Sequence, residues 1–195
     1  MTDRAAHRKR QRNWVEVSAA VCAVAISGAS LFIALRQNAL MEKQISASTW
    51  PVLEFGSSNL DDQNNPEISF EIRNAGLGPA KVRSFQVSYD GKPVTNSRQL
   101  LEQCCTDGNK LAKIDLVTSG VNHAIITANE RIHFLRLRPT PEIQPIWQKL
   151  NTERMKVRVQ ACYCSALDEC WRMDSANEEQ ERTSTCKASA DDYKE

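Results

Sequence analysis

The chain carries almost no net charge: 25 Lys and Arg stand against 24 Asp and Glu, leaving +1 over 195 residues. A nucleic-acid-binding face needs a cationic excess to neutralise phosphates, so no nucleic acid is expected as a partner. Histidine is scarce, with only His7, His123 and His133. His7 lies in a basic run, His123 and His133 flank a predicted strand pair, and none sits in a nucleophile–base motif. The phosphate-cradling G-x-x-x-x-G-K-[ST] loop, the G-x-G-x-x-G dinucleotide pattern and the H-E-x-x-H metal helix are missing. So is the C-x-x-C spacing of thioredoxin-like redox sites. Asp61-Asp62, within "SSNLDDQNNPE", offers oxygen atoms but not EF-hand spacing, and is read as a solvated loop. There is no internal repeat. These absences predict a protein that is not an enzyme, with no catalytic residue, no cofactor and no resident metal.

What the sequence does have is one long apolar run. Val17–Leu35, "VSAAVCAVAISGASLFIAL", contains no charge. As an α-helix it spans roughly 28 Å, close to the hydrocarbon thickness of a bilayer. Its few serines can bond back to their own helix backbone, which keeps their cost in lipid low. Trp14 stands at the headgroup level expected of an interfacial aromatic. A cleaved signal peptide would need a shorter core and a small-x-small site just beyond it. The length of the run and the following "RQNALMEKQ" favour an uncleaved anchor over cleavage at "SGAS". Arg4, Arg8, Lys9, Arg10 and Arg12 precede the run, whereas only Arg36 and Lys43 follow it before Trp50. The positive-inside rule then predicts a cytoplasmic N-terminus, with the bulk of the chain on the other side. The helical pattern continues as a stalk through "RQNALMEKQISAS" to Pro51.

From Trp50 the apolar pattern changes to period two. "LEFGSS", "ISFEIRN", "RSFQVSYDGKPV" and "MKVRVQACYC" read as strands with one buried face, and "NHAIITANERIHFLRLRP" as two strands around a polar turn near Asn129-Glu130. Asp90-Gly91 is a hairpin-turn signal. "SRQLLEQCC" and "TPEIQPIWQKL" read as short helices within connections. In "NAGLGPA", Gly76 and Gly78 are read as positive-φ positions and Pro79 as a fixed-φ position of one structural turn. Antiparallel sheets of this kind bury one face each most readily as a sandwich. The residues after Asp174 are polar and aperiodic and are read as disordered.

Seven cysteines are many for a reduced cytosolic protein. Outside the apolar run six remain as disulfide candidates: Cys104, Cys105, Cys162, Cys164, Cys170 and Cys186. Cys162 and Cys164 share one strand face, and "SALDE" is a hairpin-length connection to Cys170. The reading joins Cys164 to Cys170 within the hairpin and ties Cys162 to Cys104 or Cys105. Adjacent cysteines do not easily bond each other, and Cys186 is placed to reach back from the tail. The alternative is a soft metal site or a thiol-redox site using Cys162, Cys164 and Cys170. C-x-C is a poor zinc knuckle, which favours the stapled hairpin.

A single N-terminal anchor, a "WP" strand entry, "EIRNAGLGPAKV" and a "YCS…ECW" hairpin together resemble bacterial membrane-anchored β-sandwich proteins with one N-terminal transmembrane helix. The resemblance implies an Ig-like sandwich at the cell inner membrane with its C-terminal domain in the periplasm. That group supplies no activity or catalytic residue to carry over. The expected organisation is a basic cytoplasmic tail (1–13), a transmembrane helix and juxtamembrane stalk (14–48), a mostly-β antiparallel sandwich with short helical insertions (50–174) and a polar tail (175–195). The expected function is an extracytoplasmic interaction or assembly module. Its partners are the lipid bilayer, a membrane or extracytoplasmic protein, or a second copy of the chain; the alternative is a metal-binding or thiol-redox accessory protein.

Overall fold

Residues 3–106, 111, 114, 116–177 and 179–195 are described by the structure, a computed structural model, with side chains from residue 14 onward except residue 15. The chain divides into two units, Met1–Ala47 and Ser48–Glu195. The first is a single helix, α1 (Asp3–Ser48), 46 residues long. Its segment Glu16–Ser48 is long and apolar enough to cross a membrane. Among the described residues its apolar side chains stand exposed, with Val24 at 73% and Phe32 at 60%. Ser27 and Ser30 donate their hydroxyls to the carbonyls of Ala23 and Ile26 at 2.8 Å, which removes two free polar groups from the apolar surface. The basic run lies within the helix, but its side chains are outside the described residues. The helix stops at Ser48, where Pro51 disfavours helical backbone at Trp50.

Among its described residues the second unit contains ten strands and two α-helices: β1 (Leu53–Leu60), β2 (Pro66–Asn74), β3 (Ala80–Tyr89), β4 (Lys92–Val94), α2 (Ser97–Cys105), β5 (Val117–Thr118), β6 (Ile125–Ile126), β7 (Arg131–Leu137), α3 (Gln144–Glu153), β8 (Val157–Cys164), β9 (Cys170–Asp174) and β10 (Glu181–Thr183). They form two sheets. One has the order β1-β2-β7-β5; the other runs β10-β9-β8-β3-β4, with β6 also paired to β3. Every pairing is antiparallel. Alternation decides which face is buried: Ile68, Phe70 and Ile72 of β2 meet Val157, Val159, Ala161 and Tyr163 of β8 in one apolar core.

Two irregularities explain where the period of two fails. Phe70 pairs with Leu135 but Glu71 pairs with His133, so Phe134 is an extra residue on β7. Phe134 and Leu135 are consequently both buried. Likewise Val82 pairs with Tyr163 and Ser84 with Cys162, so Arg83 is extra on β3 and Phe85 turns inward. The bulged Phe134 then meets Phe85 across the core edge-on at 5.2 Å and stacks on Phe70 at 5.9 Å.

The structure corrects two expectations. β6 and β7 do not pair with each other: β6 joins β3 and β7 joins β2, so the turn Thr127–Glu130 carries the chain from one sheet to the other. Nor is 175–195 a disordered tail among the described residues. Glu181–Thr183 pair with β9, and the final segment lies along β3 between β6 and β4. Tyr193 N–H donates to Phe85 C=O at 2.8 Å and Lys194 N–H to Thr95 C=O at 2.7 Å. Tyr193 itself is 2% exposed and belongs to the core. Low apolar content concealed this, because a single aromatic carries the burial.

Candidate functional site

The hairpin β8–β9 turns through Ser165–Glu169. Ser165 N–H donates to Glu169 C=O at 2.8 Å, and Asp168 takes the left-handed conformation (φ 59°) that closes a short loop. This sets Cys164 opposite Cys170, and the two are joined. Val157, Val159, Ala161 and Tyr163 point into the core, so Cys162 and Cys164 lie on the outer face of the same strand. Cys162 is joined to Cys186, with Cα atoms 5.5 Å apart. The expected bond from Cys162 to Cys104 or Cys105 is therefore not made. Those two residues end α2 and belong to the core on the other side of the sheet, and they are joined to each other, contrary to the expectation for neighbours.

The two outer disulfides touch. Cys164 Sγ lies 3.9 Å from Cys186 Sγ, and the sulfurs of Cys164, Cys170 and Cys186 all lie within 4.8 Å of one another. Paired as disulfides they present no thiolate, which is the form a soft metal needs. The tail that supplies Cys186 runs as a strap over this face. Asp192, 5% exposed, accepts from Ser84 Oγ at 2.6 Å. Tyr193 and Ser97 share a hydroxyl–hydroxyl bond. Glu195 accepts from Ser97 N–H at 2.6 Å, adding a carboxylate to the first turn of α2, already capped by Asn96. Burial pushes the Tyr193 phenol far up, beyond what the Ser97 bond offsets. Between strap and sheet is a polar groove of about 560 Å³, lined by Gln86, Gln160, Cys162, Arg172, Glu181 and Lys187 among others.

The turn "NAGLGPA" is built differently from its expectation. Neither Gly76 nor Gly78 has positive φ; Gly91 does, at 76°. Both glycines are instead required by close approach. A Cβ on Gly76 would stand 2.4 Å from Val52 N, and one on Gly78 2.0 Å from Thr49 O. Pro79 follows at the entry to β3. The organiser is Asn74, fully buried. Its Oδ1 accepts from Val52 N–H (3.2 Å) and Gly76 N–H (3.0 Å), and its Nδ2 donates to Gly78 C=O (2.8 Å) and Ile126 C=O (2.9 Å). One side chain thus ties three segments. Sequence reasoning missed it because an Asn beside glycines reads as turn composition.

The outer face of the other sheet carries alternating charge. Glu67, 4% exposed, accepts from Arg136 (2.8 and 3.2 Å) and from Arg138 (2.6 Å). Burial raises its pKa, but these bonds and charges outweigh it and hold the carboxyl below its usual value. Glu71 lies 3.0 Å from His133 and 3.4 Å from Arg131. His123 is exposed at a left-handed turn position before β6, whereas His133 lies in β7 of the other sheet. Asp61 accepts from Asn65 N–H and Gln63 N–H at 2.8 and 2.9 Å and lies 3.8 Å from Arg138, and the bonds from Asn65 foremost lower its pKa.

Of these groups the sulfur cluster and its strap have the arrangement with the most chemistry: three sulfurs within 4.8 Å of one another, on the sheet's outer face beside a polar groove that Cys162 lines. Compared with protein-family models, curated proteins and solved structures, the chain has no significant match.

Proposed function

We propose that the chain is a single-pass membrane protein whose second unit, an Ig-like β-sandwich, stands outside the cytoplasm and serves as an interaction or assembly module without catalysis of its own. The observation that carries this reading is one chain combining a helix able to span a bilayer with a separate unit closed by three disulfides. Such bonds persist in oxidising compartments. The five cations ahead of the apolar run support a cytoplasmic N-terminus. The resemblance to bacterial membrane-anchored β-sandwich proteins favours the inner membrane, with the second unit in the periplasm. Two antiparallel sheets sharing one aromatic core support the sandwich.

An interaction role is supported by apolar side chains left exposed at one end of the β3–β8 sheet. Leu77 is 74% exposed, Ile125 63%, Leu167 51% and Trp50 49%. Leu77 N–H bonds Trp50 C=O, Ile125 pairs with Lys81, and Lys81 Nζ donates to Ala166 C=O, which brings the four segments to the same end. A phosphatase active only outside the cytoplasm, fused after Glu195, is expected to work. An inactive fusion, with a cytoplasmic reporter active at the same position, overturns the orientation and with it the reading.

A further inference from the structure

We propose that Cys186, Cys164 and Cys170 form a three-sulfur relay that passes a disulfide from one cysteine pair to another when a dithiol-class reductant reaches the strap. It holds whether or not the second unit is an interaction module. Cys186 is the least buried of the three, partly exposed, whereas Cys164 is 5% and Cys170 7% exposed. A dithiol therefore meets the Cys186 sulfur first. Its thiolate attacks Cys186 Sγ and the Cys162–Cys186 bond breaks, releasing the Cys162 thiolate. The second thiol of the reductant then closes on the mixed disulfide and frees Cys186. The reductant leaves as a cyclic disulfide, having given up two electrons and two protons.

The Cys186 thiolate now lies beside Cys164 Sγ, which it already touches at 3.9 Å. It attacks that sulfur, a Cys164–Cys186 bond forms, the Cys164–Cys170 bond breaks, and Cys170 leaves as thiolate and takes a proton. No electrons are exchanged in this step. The two protons from the reductant end on Cys162 and Cys170. The shared face of β8 makes the transfer possible without remaking the sheet: Cys162 and Cys164 are two residues apart, roughly 7 Å along a strand, and Cys186 touches both side chains. In the paired state Cys186 lies to the side of the Cys164–Cys170 bond, all three sulfurs being within 4.8 Å; once freed from Cys162 its side chain can turn to approach in line, and its tether keeps its local concentration high. The outcome is specific. The strap stays tethered, now at Cys164, while the hairpin staple opens and a thiol appears on Cys170, beside the exposed loop Ala166–Asp168.

The test uses the full chain in detergent, treated with one equivalent of dithiothreitol, quenched in acid, alkylated and mapped by mass spectrometry of unreduced peptides. The expected two-electron-reduced species carries Cys164 bonded to Cys186, with label on Cys162 and Cys170. A species with Cys164–Cys170 intact and label on Cys162 and Cys186 overturns the relay. So does one with Cys162–Cys186 intact and label on Cys164 and Cys170. Two variants give the same test without added reductant. In Cys162→Ser the free thiol is expected on Cys170, and in Cys170→Ser on Cys162, so that both converge on a Cys164–Cys186 bond. A free thiol that stays on Cys186 in the first or on Cys164 in the second overturns the proposal.

Discussion

At the scale of single residues, two glycines with different reasons for being glycine make a sharp contrast. Gly91 has φ 76° and open space where a Cβ would go. Gly91→Ala is expected to cost about 1 kcal/mol, and Gly91→Asn less, because Asn tolerates left-handed backbone. Gly78 faces the backbone of Thr49, so Gly78→Ala and Gly78→Asn should both cost about 2 kcal/mol or more, since no rotamer relieves a clash with main chain. Chemical unfolding followed by tryptophan fluorescence checks the pair; rescue by Asn at Gly78 would contradict the close-approach account. A second residue-scale outcome concerns acid. The folded state holds Glu67 below its ordinary value through Arg136 and Arg138. The unfolded chain therefore takes up the proton first as pH falls. The stability this carboxylate contributes is complete above its unfolded pKa of about 4.5 and is lost as pH drops below that. Unfolding midpoints compared at pH 6 and pH 3.5 should fall further for the natural protein than for Glu67→Gln, which has no proton to gain.

At the scale of elements, the strap is where burial and sequence pattern part company. Tyr193 sits edge-on to Phe85 at 6.0 Å and to Phe134 at 5.7 Å. Tyr193→Ala is expected to destabilise the second unit by about 3–5 kcal/mol, the range for emptying a buried aromatic site. Tyr193→Phe keeps the ring and loses the bond to Ser97, for roughly 1–2 kcal/mol. Thermal melting of both variants tests this ordering; equal melting of Tyr193→Ala and the natural protein would remove the strap from the core. The strands were legible wherever polar and apolar residues alternate, as in Ile68–Ile72 and Val157–Tyr163, because a half-buried strand must show that period. Asp90-Gly91 was legible as a turn for a local reason: both residues take positive φ. The Cys164–Cys170 bond was legible because a short hairpin sets its own register. The partner of Cys162 was not. It depends on which face of β8 the distant tail crosses, and neither spacing nor composition encodes that. The role of Gly76 and Gly78 was hidden for the same reason, since the atoms that exclude a Cβ belong to residues 49–52.

At the scale of the whole molecule, the anchored interaction reading makes a claim about the surface. Leu77 and Ile125 are exposed and make no part of the core. Leu77→Asp with Ile125→Asp is expected to leave the melting temperature within about 2 °C while lowering cross-linking of the intact protein to itself or to neighbours in native membranes several-fold. Unchanged cross-linking would move the contact surface elsewhere. The arrangement of the strap also has a consequence in time. Ser84 and its partner Asp192 are 108 residues apart in the chain. At synthesis rates of about 5–20 residues per second, β3 emerges roughly 5–20 s before the segment that fills the gap between β6 and β4. During that interval its unpaired edge is a template for any extended strand nearby. The second unit therefore completes its fold only after the strap through Tyr193 has been delivered, and a chain stalled short of Tyr193 presents an open edge along β3.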